Sequence, residues 1–153
     1  MVQTLVEKSN IEKVVTSLFV ATDENDWSQV EKVFDKLVIL DYTSLAGGTP
    51  LSLHPYQIAD SWKSVLPGFD HTHHMISNFQ IEVSGHIAEV KHYGFAQHYL
   101  DDNIWTVVGT YRHKLRHTND GWKIYQLQFN LKYMTGNMDL PRFAKERLTV
   151  EHV

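Results

Sequence analysis

The chain has 153 residues, a net charge of −4, 42% hydrophobic residues, no cysteine and ten histidines. Absent cysteine excludes a disulfide framework, a thiol nucleophile and any thiolate-bound metal, and the acidic balance gives no electrostatic footprint for nucleic acid or anionic lipid. No apolar run approaches the ~18 residues of a membrane helix and nothing reads as a leader, repeat or linker, so the expectation is one cytoplasmic domain over 1–153 with no membrane partner.

Ile11, Val14, Val15, Leu18 and Phe19 recur at helical spacing and predict a first helix beginning near Ser9 or Asn10. After a break at Thr22-Asp23-Glu24-Asn25, Asp26 is placed to cap a second helix, with Gln29 at its third position and Val30, Val33, Phe34 and Leu37 as its apolar stripe. Residues 37–45 are rich in β-branched and aromatic side chains and precede Gly47-Gly48, which predicts a strand with Asp41-Tyr42 in its middle. Pro55 opens a third helix whose buried face carries Ile58, Trp62, Val65 and Leu66, and Pro67-Gly68 stops it.

From His71 the period changes to 2. Phe79, Ile81 and Val83 alternate with polar residues, Ser84-Gly85 turns the chain into a strand over 86–100, and a second strand over 104–118 leads through Asn119-Asp120-Gly121 into a last strand over 122–134. Strands this long exceed the usual five or six residues and predict a curved sheet. In the last strand the inward register moves from Trp122 and Ile124 to Leu127, Phe129, Leu131 and Tyr133, which calls for a β-bulge near Tyr125-Gln126. A short helix is expected around 143–148. The fold class is α+β: a curved antiparallel sheet packed on three N-terminal helices.

Along 86–100 the even face carries Ala88, Val90, His92, Gly94, Ala96 and His98, and the next strand turns Trp105, Val107, Gly109, Tyr111, His113 and Leu115 the same way. Small residues on the inner face of a curved sheet leave room for a pocket with aromatic walls. His92, His98 and His113 each read equally as hydrogen-bonded core histidines. His71 and His73 share a strand face and invite a metal reading, but local spacing supplies no third ligand, so no metal is assigned. His54, His86, His117 and His152 fall at loops or strand ends and read as solvated.

The order of elements resembles the cone-shaped α+β barrel of the nuclear transport factor two-like superfamily, in its SnoaL-like branch, over roughly residues 9–135, with 136–153 as a tail. Within the branch the likeness is to the scytalone dehydratase family. Thr22-Asp23-Glu24-Asn25-Asp26-Trp27 resembles that family's Tyr-Asp-x-x-Asp-Trp, Leu40-Asp41-Tyr42 its Ile-Asp-Tyr, and Thr72-His73-His74 its Thr-Gln-His. His92 and His98 resemble its histidine pair at the same separation. The family's tyrosine before the aspartate stands here as Thr22, and its substrate-binding serine and asparagine fall near Thr110 and Arg112.

The resemblance implies a dehydratase that removes water from a small cyclic or polyketide-like hydroxyketone without metal or organic cofactor. His74 and His98 would carry the acid–base work, Asp23 would fix the imidazole tautomer and stabilise its cation, and Tyr42 would hydrogen-bond the carbonyl. Val90, His92, Trp105, Val107, Thr110, Tyr111, Phe129 and Trp62 are the candidate substrate-binding residues. A cyclase or isomerase, or a non-catalytic module for ligand binding or dimerisation, remain the alternatives. His74 has even parity whereas Phe79, Ile81 and Val83 are odd, so a bulge between Met75 and Phe79 is required to turn all of them inward. Tyr93, Phe95, Tyr99 and Ile104 make an apolar outer face expected to bury itself against another copy, as a dimer or alternatively a trimer.

Overall fold

Helix α1 (Val2–Asp23) buries Ile11, Val15, Leu18, Phe19 and Thr22 along one face in the computed structural model, which describes residues 1–151. It begins about two turns before the expected start. Val2, Leu5 and Val6 there are exposed and carry no buried stripe. Those turns extend a helix already nucleated further along, and Glu7 anchors them by accepting a hydrogen bond from Trp122 Nε1.

Asp26 caps α2 (Trp27–Val33) as expected, accepting from the Gln29 backbone N–H at 3.1 Å. The helix then ends one turn early. Phe34 opens strand β1 (Phe34–Asp41) and Leu37 is exposed rather than part of a helical stripe. Strand β1 stops at Asp41 because its carboxylate accepts from both the backbone N–H and the hydroxyl of Thr43, at 3.0 and 2.7 Å, which turns the chain into the short helix α3 (Thr43–Ala46). A short strand not foreseen, β2 (Leu51–Leu53), returns against β1, and α4 (Pro55–Lys63) follows with Pro55 at its first position.

Strands β3 (His71–Ser84), β4 (Ile87–Leu100), β5 (Asn103–Thr118) and β6 (Gly121–Gly136) form a meander. The sheet order is β2-β1-β6-β5-β4-β3, open at β2 and β3. One pair departs from the antiparallel expectation: β1 runs parallel to β6. Strand β1 arrives from the helical layer and not through a hairpin, so its direction against β6 is free of the reversal a tight turn imposes.

Two bulges set which side chains face the helices. Between Ser77 and Gln80 strand β3 spends one residue more than β4 does between Tyr93 and Lys91, and Asn78 takes a left-handed conformation with φ 60°. The inward set therefore passes from Thr72, His74 and Ile76 to Phe79, Ile81 and Val83, as the parity argument requires. In β6 the extra residue lies between Ile124 and Gln126, and a further slip lies between Leu131 and Tyr133, after which Met134, not Tyr133, is the partly buried residue.

The inner face of β4 is less open than its small residues imply. A Cβ at Gly94 would lie 2.5 Å from the Tyr111 ring, and one at Gly109 would lie 2.6 Å from the Phe129 ring. Aromatic rings from the neighbouring strands occupy that space. Helix α5 (Leu140–Glu151), longer than the expected 143–148, seats Leu140 and Ala144 on Phe69 and Leu100. Its backbone crosses Gly68 so closely that a Cβ there would lie 2.0 Å from the Ala144 carbonyl oxygen. Among the described residues no helix is long and apolar enough to cross a membrane. His152 lies outside the described residues.

Candidate active site

Asp23 is the last residue of α1, four positions after Phe19, so the buried stripe that docks the helix also delivers its carboxylate to β3. There it accepts from the His74 backbone N–H at 2.8 Å, from His74 Nδ1 at 2.7 Å and from the Thr72 hydroxyl at 3.1 Å. Burial disfavours the carboxylate charge, but the bonds from His74 and Thr72 outweigh it and hold the Asp23 pKa below its ordinary value. A proton on Nδ1 facing Asp23 leaves the Nε2 lone pair of neutral His74 for a substrate. The two side chains are 13% and 17% exposed, so the pair is reachable from outside.

His98 lies on the inner face of β4, opposite Thr72 in the ladder, with its ring centroid 6.0 Å from that of His74. Its Nδ1 is 3.0 Å from the Trp105 carbonyl oxygen, to which it donates, and its ring packs on Trp105 and Phe69. Burial lowers the His98 pKa to about 4, against the opposing effect of the Trp105 carbonyl. Neutral His98 therefore presents Nε2 as an acceptor. That atom has no protein partner, and it is not sealed off: among the described residues the buried side-chain polar atoms without a partner are Trp105 Nε1 and His113 Nδ1.

Tyr42 is held by aromatic rings, stacked on Phe129 at 5.8 Å and edge-on to Trp62 at 6.5 Å. Burial pushes the pKa values of Tyr42 and of Tyr111 up. Phe19 joins the two ends of the site, 5.6 Å from the His74 ring and 5.0 Å from Tyr111. Sequence reasoning took Phe19 only as core, although its place four residues before Asp23 already puts both on one helix face.

The remaining candidates separate. Trp105 and Phe129 adjoin the cluster through His98 and Tyr42, and Trp62 through Tyr42, while Val107 and Val90 sit in the main core. His92 does not face open space: its Nδ1 donates to the Tyr93 carbonyl, and its Nε2 is 2.9 Å from His113 Nε2 in a closed pair. Thr110 is not brought to the cluster. It pairs with Tyr93 and Asn130 across the sheet and lies beside Arg112 in a polar groove on the outer face. His71 and His73 are exposed on the side of β3 away from His74, and among the described residues no three His, Asp or Glu side chains gather as a metal centre.

A family model described as a SnoaL-like domain matches residues 3–128. Among solved structures, the Kfla4162 protein from Kribbella flavida is similar with a TM-score of 0.86 and 20% identity, covering 91% of this chain and 99% of that one. A protein from Novosphingobium aromaticivorans, provisionally called a scytalone dehydratase, has a TM-score of 0.75 and 19% identity over 88% of this chain and 91% of its own. A hexachlorocyclohexane dehydrochlorinase, LinA-type3 from Novosphingobium barchaimii, has a TM-score of 0.76 and 13% identity over 90% and 94%. At these identities the likeness establishes the cone fold alone. No curated protein matches the chain.

Proposed function

The chain belongs to the SnoaL-like domain family, and from that premise we propose that it is a cofactor-independent lyase that removes water from a small cyclic or polyketide-like hydroxyketone. The observation that carries the reading is the pairing of His74 with Asp23 beside a second, differently held histidine. His74 Nε2 takes the proton next to the carbonyl, and Asp23 stabilises the imidazolium so formed. Tyr42 donates to the enolate oxygen. The carbon–oxygen bond of the β-hydroxyl then breaks, and the proton on His74 leaves with that oxygen as water.

His98 favours a hydroxyl over a halide as the leaving group. With Nδ1 committed to the Trp105 carbonyl, its Nε2 accepts a hydrogen bond that a substrate hydroxyl has to give. A chlorine in the same place would meet a lone pair. Solved structures named as a dehydratase and a dehydrochlorinase both point to elimination, and this tautomer supports the first for this chain. The test is enone formation, followed by absorbance, from a panel of cyclic β-hydroxyketones and their β-chloro counterparts. Turnover of hydroxyketones that falls by at least about 100-fold in Asp23→Asn and His74→Ala supports the reading; equal rates in wild type and variants overturn it.

The outer face of the sheet, where Tyr93, Ile104, Met75 and Tyr133 are exposed, is read as the contact with a second copy in a dimer. Sedimentation at a monomer mass, unchanged from Tyr93→Glu, would remove that part of the reading.

A further inference from the structure

Tyr42 stands at a weak point of the backbone. Strand β1 ends one residue before it, and the helix after it, α3, is four residues long with none of them buried. A single helical turn does not hold itself together in water, and beyond it Gly47 and Gly48 take left-handed φ values of 74° and 77° in an exposed loop. The φ and ψ of Tyr42 itself, −111° and 24°, lie near the sparsely used bridge region between helix and strand. Its ring nonetheless has a defined seat, stacked on Phe129 and edge-on to Trp62.

Ser44 supplies the hold that regular structure does not. The backbone pairing of β1 with β6 stops at Asp41 and Gln128, which leaves the Phe129 carbonyl and the Leu131 N–H without a strand to meet on that side. The Ser44 hydroxyl meets both: it donates to the Phe129 carbonyl at 2.8 Å and accepts from the Leu131 N–H at 2.8 Å. One side-chain oxygen, donor and acceptor at once, does there what a further residue of β1 would do. On the other side of Tyr42, Asp41 accepts from the Thr43 N–H and hydroxyl. The residue to which Ser44 ties the backbone is also the one on which the Tyr42 ring stacks, and it is itself fixed, since a Cβ at Gly109 would lie 2.6 Å from the Phe129 ring.

We propose that Ser44 is a positioning residue that, by bridging the Phe129 carbonyl and the Leu131 N–H, seats the Tyr42 ring against Phe129 and keeps its O–H aimed at the substrate oxyanion. The inference rests on the reading of Tyr42 as the oxyanion donor and adds what holds that donor in place. A donor already in position when charge develops costs no reorganisation at that moment, whereas one carried on a loose turn has to be ordered first. Ser44 is exposed, so its two bonds compete with water and their loss weakens the seat without abolishing it.

The first arm of the test needs no substrate. In protein labelled with ¹³C at the tyrosine ε-carbons, the Tyr42 signal, identified by its loss in Tyr42→Phe, is displaced by the ring currents of Phe129 and Trp62. Ser44→Ala is expected to move that signal toward the position of exposed Tyr56, and Ser44→Thr, which keeps the hydroxyl, to restore it. In the second arm, kcat on any hydroxyketone turned over should fall about 3- to 10-fold in Ser44→Ala, the worth of about one hydrogen bond, at unchanged KM. Adding Ser44→Ala to Tyr42→Phe should lower kcat no further.

A Tyr42 signal that stays at its wild-type position in Ser44→Ala overturns the positioning role whatever the activity does. A kcat loss in Ser44→Ala that persists at full size in the Tyr42→Phe background overturns it as well, because Ser44 would then act through another group. If the signal moves as expected but Tyr42→Phe turns over at the wild-type rate, the reading of Tyr42 as the donor fails, and with it the catalytic half of the role given to Ser44. If no hydroxyketone is turned over, the dehydratase reading fails by itself and the Tyr42 signal alone decides whether Ser44 seats the ring.

Discussion

Two histidine pairs occupy the same cone, both using strand β4, and they differ in what holds each ring. His98 stands six residues after His92, both face inward, and both have pKa values lowered to about 4 by burial. His92 is closed off by His113, Nε2 to Nε2, in a site with no carboxylate partner. His98 is turned by the Trp105 carbonyl so that its second nitrogen stays open, beside a His74 whose imidazolium has Asp23 waiting. Burial alone makes a neutral, inert histidine. A fixed tautomer with one free nitrogen, next to a carboxylate-backed partner, makes one that can take part in proton transfer.

The sharpest way to break that contrast is to exchange the fates of the two pairs. His74→Ala is expected to lower kcat by about 10²- to 10⁴-fold, with no comparable change in urea stability. Replacing both His92 and His113 by leucine should leave kcat within a few-fold of wild type, since an apolar pair of similar shape is tolerated where a polar one was sealed. Comparable activity losses in the two variants would dissolve the distinction.

Stability should show the opposite ranking. His113→Leu alone strands the His92 acceptor in the core and is expected to cost about 1–3 kcal/mol at pH 7, whereas the double leucine variant recovers most of it. Acid sharpens this further. His92, His98 and His113 all have folded pKa values below the ordinary 6.5, so between pH 6.5 and about 4 the unfolded chain binds more protons than the folded one. Stability is therefore greatest above pH 6.5 and falls as pH drops, by up to about 1.4 kcal/mol per pH unit for each such histidine. Asp23, with its pKa lowered, adds a separate loss only below the ordinary carboxylate range. Urea midpoints between pH 7 and 4.5 should fall steeply in wild type and less steeply in the double leucine variant; parallel slopes would contradict the role given to the sealed pair.

The smallest expected effect concerns the residue that lets both halves of β3 face inward. Asn78 holds φ 60°, so Asn78→Ala should cost about 1 kcal/mol and Asn78→Gly almost nothing. Deleting Asn78 instead removes the register shift and should turn either His74 or Phe79 outward, abolishing turnover or folding.

Much of this was legible in the sequence because it depended on parity. The even face of β4, the need for a bulge before Phe79 and the bulge near Tyr125 all follow from counting residues along a strand. Asp23, His74, His98 and Tyr42 came from short motif matches to the scytalone dehydratase family. What stayed hidden depends on contacts far apart in the chain. The parallel pairing of β1 with β6, the Trp105 carbonyl that fixes His98, the closure of His92 by His113 and the filling of the Gly94 space by Tyr111 have no local periodic signature. Thr110 departs for a different reason: the family's substrate-binding serine falls near it along the chain, whereas its strand parity, opposite Tyr93, puts it on the outer face.

The most direct test of the account is exchange of the proton next to the carbonyl in D₂O, followed by ¹H NMR on a ketone that lacks a leaving group. Wild-type protein is predicted to catalyse the exchange, with the rate lost in His74→Ala, strongly reduced in Asp23→Asn and retained when His92 and His113 are both leucine. Exchange that survives in His74→Ala at the wild-type rate would contradict the assignment of His74 as the base and, with it, the central claim.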